Sequence, residues 1–143
     1  MKIFTIGFTG KSAEVFFKLL VNNDIRRLID IRLNNKSQLA GFANVKHLPY
    51  FLKLHNIEYL HCPECAPTKE LLNDYKKKKV SWNEYETIYL KLLEDRQVIQ
   101  ELKSDIINNA VFLCSEIKAE KCHRRLLVES IARNYKGIEI CHL

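Results

Sequence analysis

Short runs of β-branched and aromatic residues recur along the chain, and the gaps between them are long enough to carry helices. The runs are Lys2 to Ile6, Leu28 to Ile31, Ile57 to Leu60, Ala110 to Cys114 and Ile138 to Cys141. Ser12 stands as an N-cap before Val15, Phe16, Leu19 and Leu20, and Pro49 suits the first turn of a helix reaching about His55. After Pro63 and Pro67 a short helix is expected near Lys69 to Lys76, and another from about Cys122 to Asn134, where Leu126, Leu127 and Ile131 keep helical spacing. Ser81-Trp82-Asn83-Glu84 forms a capping box, and Tyr85, Ile88, Tyr89, Leu92, Ile99 and Leu102 predict one helix of about five turns behind it. Parallel strands need crossovers, and crossovers are normally helices. The pattern therefore predicts an α/β fold, a three-layer domain with a mostly parallel sheet of about five strands flanked by helices.

At 143 residues the chain can bury one core but not two, so residues 1–143 are read as a single domain. In an open parallel sheet, ligands bind beyond the carboxyl ends of the strands. That rule selects residues scattered through the sequence: Gly7 and Thr9, Asp30 and Arg32, His61 and Cys62, Cys114 and Glu116, Cys141 and His142.

Asp30 and Arg32 share one side of an extended segment, where Arg can pair a buried carboxylate through two hydrogen bonds. Functionally, Asp30 would orient a group or accept a proton while Arg32 holds an anion; structurally, the pair would tie a loop to the sheet. Ser37, in the polar loop that follows, joins Thr9 as a candidate substrate contact. Cys122, His123 and Arg124 fall at a helix start, whose free N–H groups favour negative charge, so Cys122 and Arg124 are candidate substrate contacts and His123 a candidate catalytic group. Glu116 is placed to act as a general acid or base if its pocket excludes water.

Cys62 and Cys65 form a Cys-x-x-Cys pair. A zinc site would need two more ligands from among Cys114, Cys122, His123 and His142; a redox dithiol and unconnected thiols are the rival readings. No cofactor is assigned, and zinc through Cys62 and Cys65 stands as the alternative.

The chain carries 23 Lys and Arg against 17 Asp and Glu, a net +6 that attracts phosphates, nucleic acid or acidic partners without choosing among them. The run Lys76 to Lys79 reads first as solvated surface. No apolar run approaches the roughly 20 residues of a membrane span, and MKIFTIGFTG turns polar too soon for a signal peptide. A cytoplasmic protein with no membrane partner is expected, and its five cysteines are not expected to build a disulfide framework.

The segments TIGFTGKS, LIDIRLNNKSQLAGF, APTKELLNDYKK with SWNEYETIY, and FLCSEIKAEKCHRRLLVESIA resemble, in order, the domain of unknown function family 488. The resemblance implies a shared pocket built from Asp30, Arg32, Cys114, Glu116, Cys122, His123 and Arg124, with Cys62 and Cys65 outside the common pattern; it supplies no reaction. A partial likeness to rhodanese-type sulfurtransferases lies in LIDIR and FLC, but Arg124 follows Cys114 by ten positions with no Gly between, unlike the short anion-cradling loop of those enzymes. The expected function is an enzyme binding a phosphate-bearing or otherwise anionic substrate, with a nucleotide or nucleic acid as one class. The alternatives are a cysteine-dependent sulfur or phosphoryl transferase and a non-enzymatic nucleic-acid or protein binding module.

Overall fold

The computed structural model describes residues 1–36 and 40–143. Its elements, in chain order, are β1 (Lys2–Gly7), α1 (Ala13–Asn22), β2 (Arg27–Asp30), α2 (Leu48–Leu54), β3 (Glu58–His61), α3 (Lys69–Lys76), α4 (Trp82–Asp95), α5 (Val98–Glu101), α6 (Ser104–Ile107), β4 (Ala110–Cys114), α7 (His123–Asn134) and β5 (Glu139–His142). The five strands form one sheet in the order β3-β2-β4-β1-β5, and every pairing is parallel. The layered α/β architecture read from the sequence is the architecture found.

Alternation along the strands divides the core into two layers. Ala110, Phe112 and Cys114 of β4 join Ile3, Ile29 and residues of α4, α5 and α7 in one buried cluster. Val111 and Leu113 join Phe4, Ile6 and Leu28 in a second, against Phe16 and Leu20 of α1 and Leu48 and Leu52 of α2. All five residues of β4 are buried, as expected of a strand covered on both faces. The order matters for function. The connections leaving β1 and β2 cross one face while the one leaving β4, which lies between them, crosses the other. Their loops part above β4, which creates the crevice where such sheets bind ligands.

The helix expected through Leu102 is two helices. Gln97 takes a left-handed conformation (φ 55°) between α4 and α5, and Arg96 at the break donates from Nη1 to the carbonyls of Glu64 (2.9 Å) and Ala66 (2.7 Å). The break turns Val98 and Leu102 into the core, whereas Ile88, assigned to the apolar stripe, is 45% exposed, and Leu93 is buried instead.

Gly7 ends β1 where the β4–α7 loop crosses it. A Cβ there would overlap the Glu116 carbonyl oxygen and the Arg124 guanidinium. Only glycine lets the loop lie this close to the strand. Gly7→Ala is expected to cost about 1–3 kcal/mol, the range for overpacking, measured by urea denaturation; a change within about 0.5 kcal/mol would show that the loop yields freely.

Candidate functional site

The β4–α7 loop is held by one buried side chain. Arg124, 1% exposed, projects from the first turn of α7 back under the loop. Its Nη1 donates to the Glu116 carbonyl and to Cys114 Sγ (3.0 Å), and its Nη2 donates to the Ile117 carbonyl (3.1 Å). Arg124 makes no ion pair with a carboxylate among the described residues. A buried guanidinium needs a counter-charge, and the Cys114 sulfur is the group in place to provide it. Cys122 Sγ lies 2.9 Å from Cys114 Sγ. Burial pushes the Cys114 thiol up, but the hydrogen bond from Cys122, the charge of Arg124 and the Glu116 N–H together bring it below its ordinary value. The Cys122 thiol moves the other way, raised by its bond to Cys114 and by burial. Of the two, Cys114 is thus the sulfur that gives up its proton more readily, and Cys122 the thiol that donates to it.

On the neighbouring strand, Asp30 is fully buried and paired by Arg32 through two bonds of 2.8 Å, from Nε and Nη2. Tyr59 of β3 donates its hydroxyl to the second carboxylate oxygen (2.7 Å), and burial together with that bond raises the phenol well above its ordinary value. Arg32 also reaches the Ala43 carbonyl (2.7 Å) and lies over the Phe8 ring (5.4 Å), while its Nη1 is buried with no partner among the described residues. Asp30 therefore positions Arg32 through two of its three guanidinium nitrogens.

His123 joins the two groups. Its Nε2 meets the Ile31 carbonyl at 3.1 Å, and a carbonyl only accepts, so Nε2 carries the proton. That leaves the Nδ1 lone pair facing Cys122 Sγ at 3.9 Å. The ring packs edge to face on Tyr89, and burial, reinforced by Arg124, lowers its pKa from 6.5 to about 4. Near neutral pH it is an uncharged imidazole.

A cleft of about 940 Å³ opens over these groups. Its lining includes Arg32, Cys114, Glu116, Cys122 and His123. Lys69, Lys76 and Lys121 add positive charge to its walls, and Glu116, exposed at the lip, is the one carboxylate among its lining residues. Of the residues singled out from the sequence, Thr9 is exposed and off this lining; its backbone N–H extends the sheet by bonding to the Ser115 carbonyl (3.2 Å). Ser37 lies outside the described residues. Arg124 departs from its expected part as a substrate contact: its bonds go to loop carbonyls and to sulfur, because the side chain points beneath the loop and not out of the helix start. Cys62 and Cys65 form a disulfide, so as linked they offer no thiolate to zinc, and among the described residues no cluster of three or more His, Cys, Asp or Glu is arranged to hold a metal. Tyr59, Lys69 and Lys121 were not singled out beforehand, and Lys76 was read only as part of a solvated run. A tyrosine one position from an apolar strand residue, or a lysine on an amphipathic helix, looks alike in sequence whether or not it faces a cleft.

A family model described as "Domain of unknown function DUF488" matches residues 12–131. The chain belongs to that family. The match takes in β2, β4, α7 and all the cleft residues just described, and leaves out Gly7, Thr9 and β5 of this DUF488 domain. No curated protein and no solved structure matches it.

The depressed pKa of His123 makes a signed prediction. The unfolded chain takes up a proton at about 6.5 and the folded one only near 4, so His123 contributes stability above that window that is lost as pH falls through it. The stability advantage of the wild type over His123→Gln, from urea unfolding, should therefore shrink between about pH 6.5 and pH 4. A difference that stays constant with pH would show that the imidazole is not held neutral.

Proposed function

We propose that this protein is an enzyme that draws a phosphate-bearing or similarly anionic substrate into the cleft above β2 and β4 and acts on it through the Cys114 thiolate. The observation that carries the reading is the buried guanidinium of Arg124, bonded to Cys114 Sγ at 3.0 Å and lacking a carboxylate partner among the described residues. A thiolate is the nucleophilic form of cysteine. Support for an anionic substrate comes from Arg32 Nη1, which has no partner among the described residues, and from the lysines that line the walls.

In the reaction class this favours, sulfur or phosphoryl transfer, Cys114 Sγ forms a bond to an electrophilic sulfur or phosphorus as the leaving group departs with the electron pair of the broken bond. Glu116 at the lip is placed to exchange a proton with the leaving group or the acceptor. Attack by the acceptor on the cysteine adduct then releases the group and restores the thiolate. Asp30 and Tyr59 hold Arg32 in position, and Cys122 stabilises the sulfur anion before the first step and again after the second.

Thiolate absorbance near 240 nm, followed through a pH titration, tests the starting state. Wild type should show a step below the ordinary thiol range that is absent from Cys114→Ser and moves upward in Arg124→Gln. Incubation with thiosulfate and, separately, with an aryl phosphate should leave one sulfur atom or one phosphoryl group on the peptide carrying Cys114. No low step and no adduct would favour the non-enzymatic reading.

A further inference from the structure

Beside the cleft lies a second depression of about 680 Å³, formed by the α3–α4 turn and Lys121. It shares Tyr75, Lys76 and Lys121 with the cleft, so the two are continuous. The turn between α3 and α4 is pinned rather than loose: Lys78 adopts a left-handed conformation (φ 58°) and donates its N–H to Tyr75 (3.0 Å), and Lys79 donates to Asp74 (2.8 Å). Lys78 and Lys79 are thereby presented at fixed places on the rim. Taken together, the lining carries Arg32, Lys69, Lys76, Lys78, Lys79 and Lys121 against Glu84 and Glu116. The Glu84 carboxylate already accepts the Ser81 N–H of the capping box.

Aromatic rings accompany the charge. Trp82 stacks on Tyr85 with centroids 5.0 Å apart and planes at 17°, and Tyr75 packs against both at 5.7 and 5.1 Å. Trp82 is only partly buried and lines the outer depression among the lysines. A cationic groove with aromatic faces beside it suits a polymer of alternating phosphates and flat bases.

We propose that the outer depression and the cleft form one track for a single-stranded nucleic acid, with phosphates on the lysines, a base against Trp82, and the strand leading to Cys114. This deepens the proposed function by naming its substrate class, and it rests on that reading only for the chemistry at the inner end. A single strand is favoured over a duplex because paired bases are already stacked on each other and offer Trp82 no face. In addition, Cys114 is 1% exposed at the cleft floor, where an unpaired nucleotide reaches and a base inside a helix does not.

Trp82 is the sole tryptophan of the chain, so its fluorescence reports on this surface alone. Oligothymidylate should quench it. Affinity should fall with salt, with a log–log slope of about −2 to −3, for some three or four phosphate contacts at roughly −0.7 each. The double charge reversal Lys78→Glu with Lys79→Glu should weaken binding about tenfold or more, with anisotropy of a labelled strand as a second readout and circular dichroism confirming the fold. Strand binding and adduct formation on Cys114 are read separately, so that binding without an adduct overturns the thiol chemistry alone and an adduct without binding overturns the track alone. The proposal is overturned if the strand does not bind at low salt, if a duplex of equal length binds as tightly, if anionic phosphatidylserine vesicles bind and the strand does not, or if the charge reversal leaves affinity unchanged.

Discussion

Everything at the rim of this sheet depends on how a positive charge is kept away from water. Arg124 is buried, and its hydrogen bonds go to two carbonyls of the β4–α7 loop and to the sulfur that ends β4. One planar fork thus fixes the loop's path and its distance from β1, and helps lower the proton affinity of Cys114. An ammonium at this position would not reach the same acceptors from one rigid plane, which is why Arg and Lys are not equivalent here. The bare Cα of Gly7 is the complement on the neighbouring strand, since the loop can approach only where no side chain stands.

Two groups of polar side chains from opposite faces of the sheet meet above it. Asp30, Arg32 and the half-buried Tyr59 form a hydrogen-bonded network beside Phe8 and Ala43, which belong to the layer under α1 and α2. Cys114 and Cys122 belong to the layer under α4 and α7. The bridge is His123, which starts α7 yet bonds to the carbonyl of Ile31 beyond β2. That contact exists because β2 and β4 are neighbours and the helix after β4 goes to the face opposite those after β1 and β2. Fold order, more than any single residue, assembles the cleft.

Much of this was readable from the chain. Alternation and capping residues located the strands and most helices, because both signals are local: Ser12 and Ser81 each accept an N–H three residues on, as a cap should. The rule that ligands gather at strand ends pointed to Arg32, Cys114, Glu116 and His123, which do line one cleft. What failed was whatever depended on partners distant in sequence. Arg124 at a helix start reads as an anion contact until the loop is seen to fold over it. Gln97 reads as an ordinary helix residue, and the break there goes with Arg96 reaching carbonyls some thirty positions back. Tyr59 becomes a partner of Asp30 only once β3 is known to lie beside β2.

The pairing at the base of the cleft also sorts charge within it. Were Cys114 ionised, as the proposed chemistry requires, the sulfur anion and the guanidinium beneath it would largely cancel, so the floor would be close to electrically neutral while the flanks stay positive. A negatively charged ligand would feel the flanks first and be turned so that its anionic groups rest on them, leaving its uncharged, electron-poor atoms to face the sulfur. The cleft would in this way orient its guest before any bond is made, by the separation of two electrical zones and not by shape alone.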